Sequence, residues 1–191
     1  MARILLAIGP IVMLWHSGEC VNHKNDFDAI SGCLQYDNVP GYHDPQLYFP
    51  TSRFRNMVRT PHSRILRMGI VGVKDANFRY GRSAFPATGE QVVEIVLGGW
   101  DNTKSAGRFQ VRRWNIENTL LKDAETPRIM SGSRPLVFKM EVFDNGLVEL
   151  TKDGENRPFF AFTNPQKTIT VDYIAFTKWE MDMIYFYDCP L

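Results

Sequence analysis

"VEIVLGGWDNTKS", residues Val93 to Ser105, decides how the chain is read. An apolar run meets Gly98 and Gly99, then Trp100, then Asp101, Asn102, Thr103, Lys104 and Ser105, all able to donate or accept hydrogen bonds. Two readings compete. A nucleotide or S-adenosylmethionine cradle needs Gly-x-Gly after a parallel strand, a helix opening behind it, and an acidic residue about twenty positions on. Here the glycines are adjacent, and "WDNTKSAGRFQVRRW" contains no amphipathic helical period. A turn between strands fits better, because Gly98-Gly99 lets the backbone leave a buried strand with positive φ.

The flanking sequence supports strands on both sides. "QVVEIVLGG" (91–99) is a continuous apolar run closed by glycine, and "ILRMGIVGV" (65–73) resembles a strand packed closely against a neighbour. "LVFKMEVF" places Phe138, Met140 and Val142 on one face and Lys139 and Glu141 on the other. Asn145-Gly146 follows, a strong hairpin signal between apolar runs, and "LVELT" returns to Lys152-Asp153-Gly154, a second turn. "PFFAF" is a further strand. "TITVDYIAF" reads as alternating, with Ile169, Val171, Tyr173 and Ala175 on one face, and "MDMIYFYDC" places Met181, Met183, Tyr185 and Tyr187 together. "NIENTLLKDAE" (115–125) fits either a short helix or a polar strand. Short strands separated by frequent turn signals predict an all-β, antiparallel sandwich or barrel.

The two ends predict a compartment. Arg3 precedes "ILLAIGPIVMLW", an apolar run of 12 residues, and then "HSGEC", which is the pattern of a secretory signal peptide over residues 1–20. That run is too short to span a bilayer as a helix. Residues 21–45 are polar and read as an extended lead-in with at most a short strand, and residues 46–191 as the sandwich domain. Export leads to an oxidising route, in which Cys33 and Cys189 are expected to pair while Cys20 lies at the predicted cleavage site. A bridge between positions so far apart would restrict the unfolded chain by about 4–5 kcal/mol in the loop-entropy model.

Of 191 residues, 22 are Lys or Arg and 21 Asp or Glu, for a net charge of +1. That balance offers no reason to expect nucleic acid as partner. The four histidines show no HxxxH spacing and the cysteines no CxxC, so no metal is expected. There is no G-x-S-x-G and no other assignable catalytic set, and no cofactor is expected. The strongest binding candidates are Trp100, Asn102 and Lys104 at the turn, with Arg112 and Arg113 on the following strand. An indole face beside amides and guanidinium groups suits a carbohydrate or another small polar ligand.

Together "VEIVLGGWDNTKS", "RRW", "PLVFKMEVFDNGLVELTKDGENRPFFAF" and "TVDYIAFTKWE" resemble the farnesoic acid O-methyltransferase-like domain, over roughly residues 46–189. The resemblance implies a jelly-roll-like β-sandwich. Through the family's name it also implies methyl transfer from S-adenosylmethionine to farnesoic acid, the alternative to a secreted, non-catalytic binding module.

Overall fold

The computed structural model describes residues 25–86, 88–112 and 116–191. The expected signal peptide, Cys20, Arg113 and Trp114 lie outside the described residues. The described residues form thirteen strands: β1 (Leu34–Tyr36), β2 (Tyr48–Pro50), β3 (Val58–Arg59), β4 (Ser63–Gly72), β5 (Ala76–Gly81), β6 (Gln91–Gly98), β7 (Lys104–Val111), β8 (Glu117–Glu125), β9 (Leu136–Phe143), β10 (Leu147–Lys152), β11 (Phe160–Thr163), β12 (Tyr173–Lys178) and β13 (Met183–Tyr187).

They build two antiparallel sheets packed as a sandwich. One runs β1-β13-β4-β9-β10-β11, with β3 also paired to β4; the other runs β2-β12-β5-β6-β7-β8. The chain changes sheet after β1, β2, β4, β8, β11 and β12, so neighbours in sequence are often across the core from one another. Alternation determines which side chains fill that core. Leu66, Met68, Ile70, Phe138, Met140, Val148, Leu150, Phe160 and Phe162 of the first sheet meet Phe78, Tyr80, Val93, Ile95, Leu97, Ile174 and Phe176 of the second. Facing sheets approach closely at Gly107, where an added Cβ would lie 2.6 Å from the Phe162 ring. Tyr185 crosses the gap with its hydroxyl, which donates to the carbonyls of Asn77 and Thr177, both at 2.9 Å.

The Asn-Gly hairpin forms as expected, with Gly146 at φ 89° closing β9 to β10. The segment 115–125, left open between helix and strand, contains the edge strand β8, paired with β7 through a bulge at Gly107/Arg108. One expected face is corrected. Ile169 and Val171 do enter the core, but they precede the strand; β12 begins at Tyr173 and points Ile174 and Phe176 inward, not Tyr173 and Ala175. The phase changes because Asp172 lies outside the ladder, where its carbonyl accepts from the Thr51 backbone N–H.

The disulfide is present: Cys33 and Cys189 are joined, with Cα atoms 4.1 Å apart, across 156 positions of sequence. It pins β1 beside β13, where Leu34 pairs with Tyr187. Arg67 reinforces this corner by donating to the carbonyls of Ala29 (2.8 Å) and Pro190 (2.9 Å) and to Asp153.

Candidate functional site

The outer face of the six-stranded sheet is where polar chemistry collects. Register places Ala175, Arg79, Glu94 and Arg108 in one row across β12, β5, β6 and β7. Alternation alone would leave that row wet. Instead residues 37–47 cross it, held by the Pro40 carbonyl, which accepts from the Lys178 N–H (3.1 Å) and the Thr177 hydroxyl (3.1 Å). Tyr42 lands on the row. Its hydroxyl donates to Glu94 Oε2 (3.1 Å) and accepts from Gln110 (3.2 Å) and Asn118 (3.1 Å), while the Arg79 guanidinium lies 4.4 Å from its ring centroid. Arg79 Nε donates to Glu94 Oε1 at 2.8 Å, and both side chains are 0% exposed. Gln46 accepts from Arg79 as well. This charge pair is buried but fully satisfied, as a pair removed from water must be.

At one end of the same sheet the face stays open. Three turns converge there: β4–β5 with Lys74 and Asp75, β6–β7 with Trp100 and Asp101, and β12–β13 with Trp179 and Glu180. They enclose a cleft of about 340 Å³, floored by Asn77, Val96 and Gly99 and bounded by Tyr42 and Arg108. Trp100 and Trp179 are 47% and 48% exposed. Each ring is held in place. Trp179 meets Tyr42 edge-on at 4.9 Å and His43 at 5.7 Å between ring centroids, and the Arg108 guanidinium lies 5.6 Å from the Trp100 ring centroid.

The Gly98-Gly99 question is answered here. The segment is a hairpin turn between antiparallel strands, not the mouth of a parallel strand leading into a helix. Gly98 sits at φ 63°, and an added Cβ would come within 2.8 Å of Met130 Sδ. Trp100, Asp101 and Asn102 then follow at φ 50°, 58° and 60°, one turn of left-handed backbone. Left-handed conformation costs an L-residue about 1–2 kcal/mol. The surroundings impose it. Asn102 donates its side-chain amide to the Met130 carbonyl (2.9 Å) and accepts from the Met130 N–H (3.1 Å), and its own carbonyl accepts from the Arg128 N–H (2.7 Å). Thr103 closes the turn through its N–H to the Gly99 carbonyl (3.1 Å) and its hydroxyl to the Trp100 carbonyl (2.7 Å).

The expected site residues therefore separate. Trp100 lines the cleft. Asn102 is spent on holding the turn. Lys104 lies at the start of β7, paired with Glu125 (3.2 Å) and Asp123 (3.7 Å) of β8; its hydrogen bond to Glu125, then the nearby charges, push its ammonium pKa up. Arg112 follows the far end of β7, about 25 Å along the strand from the turn. It donates to Gln110 Oε1 at 2.9 Å, and burial lowers its pKa. Nearby, Tyr48 is the only buried side chain among the described residues with an unpartnered hydroxyl. Sequence reasoning missed Trp179, Arg108, Lys74 and Asp75 as cleft residues, because only the folded sheet brings their turns together. "KWE" at 178–180 was the available signal: an aromatic between charges, just past a strand.

The charges of the cleft are not evenly matched. Lys74 Nζ lies 3.2 Å from Asp101, and Arg108 reaches Glu94 at 3.4 Å. Asp75 and Glu180 have no ion-pair or hydrogen-bond partner for their carboxylates among the described residues. Burial, then the charges of Glu180 and Asp101, push the Asp75 carboxyl above its usual value, against the opposing pull of Lys74. No group of three or more His, Cys, Asp or Glu among the described residues could hold a metal ion.

The family model described as farnesoic acid O-methyl transferase matches residues 42–191. No curated protein sequence matches the chain. Among solved structures, the chain is similar to LamAcat from Zobellia galactanivorans, with 10% identity, 84% of this chain and 97% of that one covered, and a TM-score of 0.37. It is also similar to the CBM2 module of the evolved Dit of Lactobacillus casei BL23 phage J-1, with 8% identity, coverages of 84% and 91%, and a TM-score of 0.38. The chain belongs to the farnesoic acid O-methyltransferase family, on a match that includes Tyr42, every strand but β1 and the whole cleft.

Proposed function

We propose that this member of the family is a secreted, non-catalytic binding module that holds a carbohydrate or another small polar ligand between Trp100 and Trp179. One observation carries the reading: two half-exposed indoles, each fixed by its neighbours, stand on a cleft otherwise lined by amide, carboxylate and cationic groups. Sugar rings stack their C–H faces on aromatic rings and present hydroxyls to fixed polar groups, so both halves of the ligand find a match. The left-handed turn supports the assignment, since strained backbone that is over-determined by its surroundings tends to lie at working sites. The Cys33–Cys189 bridge supports export.

Titration calorimetry of the purified chain against neutral, basic and acidic oligosaccharides tests the reading. Trp179→Ala and Trp100→Ala should each weaken the best binder about tenfold or more. If no oligosaccharide binds, or both variants bind as well as the parent, the site is misassigned.

Family membership favours a second reading, methyl transfer to a terpenoid acid. In that reaction the substrate carboxylate oxygen takes the methyl group from the sulfonium, releasing the thioether. Incubation with labelled S-adenosylmethionine and farnesoic acid discriminates. Turnover above a heat-killed control replaces the binding-module reading with the enzyme.

A further inference from the structure

We infer that the ligand of the Trp100–Trp179 cleft carries a protonated amine on a hydroxylated ring, as amino sugars do. This rests on the binding-module reading above and narrows it. Three carboxylates line the cleft, Asp75, Asp101 and Glu180, against two cations, Lys74 and Arg108. Lys74 is paired with Asp101, and Arg108 shares the buried Glu94 with Arg79, so the lining carries one net negative charge. The surplus is therefore negative and sits on Asp75 and Glu180, on two different turns that converge on the cavity.

An anion entering here would face both carboxylates and would have to compete with Asp101 for Lys74 or share Arg108 with Glu94. A neutral sugar would stack on the indoles and leave the surplus charge without a counter-ion. An ammonium group answers both features. It supplies the missing positive charge, donates hydrogen bonds to Asp75 and Glu180, and is attracted to the indole faces. Arg108 already occupies that role against Trp100, showing that the ring accepts a cation in this setting. Among the described residues no Lys or Arg lies over the Trp179 ring, which meets Tyr42 and His43 edge-on.

The test compares three oligomers of equal length by calorimetry at about pH 6, above the ordinary carboxylate range: a de-N-acetylated chito-oligosaccharide, its N-acetylated form, and the corresponding gluco-oligosaccharide. The amine form should bind about three- to thirtyfold tighter than either neutral one. That ratio should shrink toward one in Asp75→Asn and, separately, in Glu180→Gln. Asn suits position 75, whose φ is 58°, so the first variant keeps the backbone it needs. Neutral oligomers that bind as tightly as the amine form would overturn this inference while leaving the binding-module reading in place. Binding by none of the three would overturn this inference, leaving the binding-module reading to the wider oligosaccharide series, and an unchanged ratio in both variants would show that these carboxylates do not select the charge.

Discussion

One face of the six-stranded sheet is built in two manners. Under residues 37–47, Arg79, Glu94, Gln110 and Tyr42 are buried and exhaust one another's hydrogen-bonding capacity. A few residues further along the same strands, Asp75, Trp100, Trp179 and Glu180 stand open, with carboxylates unpaired and rings half-wet. Polar residues on a sheet face thus have two distinct uses. Where every donor and acceptor is matched internally, nothing remains for a ligand, and the network acts as a staple between the lead-in and the sheet. Where capacity is left over beside a cavity, the surface can recognise something. Arg108 joins the halves, touching Glu94 on one side and Trp100 on the other.

Breaking the closed half should have the largest effect. Glu94→Ala leaves the Arg79 guanidinium buried without its carboxylate, which costs about 3–5 kcal/mol. Replacing both, as Arg79→Met with Glu94→Leu, should recover much of that loss, because an apolar pair needs no counter-charge. Chemical denaturation of the three variants checks this. A loss below about 1 kcal/mol in Glu94→Ala would mean that the network does not hold the fold.

The boundary between the halves comes next. Gly98→Ala forces a side chain onto φ 63° and toward Met130 Sδ at 2.8 Å. The expected loss is about 2–3 kcal/mol, combining left-handed strain with overpacking. Asn102→Ala removes the two-point clamp on Met130 and should cost about 1–2 kcal/mol. Both should also weaken ligand binding, since both release the turn that carries Trp100. Stability lost with affinity retained would show that Trp100 does not depend on the turn.

The sequence disclosed the scaffold better than the site, for a physical reason. A sandwich is written locally: alternation in "LVFKMEVF", the Asn145-Gly146 hairpin and the glycine-closed run before Trp100 each act over a few residues. Cys33 and Cys189 were legible together because compartment and cysteine number left few pairings. The site is written across the sheet. Arg79 and Glu94 lie on the outward face of their strands, and nothing local says that Tyr42, on the 37–47 segment, will cover them. Arg112, grouped with Trp100 as a binding candidate, lies apart from it because the extended strand β7 carries its two ends to opposite ends of the sheet. Asn102 reads from sequence as a ligand contact, and in the fold its side-chain amide bonds the Met130 backbone at both ends.

Within the open half, affinity and stability should come apart. Trp179→Ala removes a ring that is 48% exposed and should change stability by no more than about 1 kcal/mol while lowering ligand affinity about tenfold. Paired thermal unfolding and calorimetry measure the two. Equal losses in both would make Trp179 part of the packing, and the contrast between the halves would fail.

The smallest effect concerns Asp75, and it tests whether the open half pays a cost while empty. Burial, joined by Glu180 and Asp101 and opposed by Lys74, raises the Asp75 carboxyl above its ordinary 3.8. A carboxyl that binds its proton more tightly folded than unfolded favours the fold when protonated. Its contribution is therefore most favourable below that ordinary value and is lost as pH rises through the higher folded value. Asp75→Asn has no proton to exchange, and the other cleft groups, Lys74, Asp101, Glu180 and Arg108, remain in both proteins. The parent should thus gain stability relative to Asp75→Asn as pH falls toward 3.8, by paired denaturation in a pH series. A flat difference, or one of opposite sign, would mean that Asp75 is solvated well enough for its ionised form to need no partner.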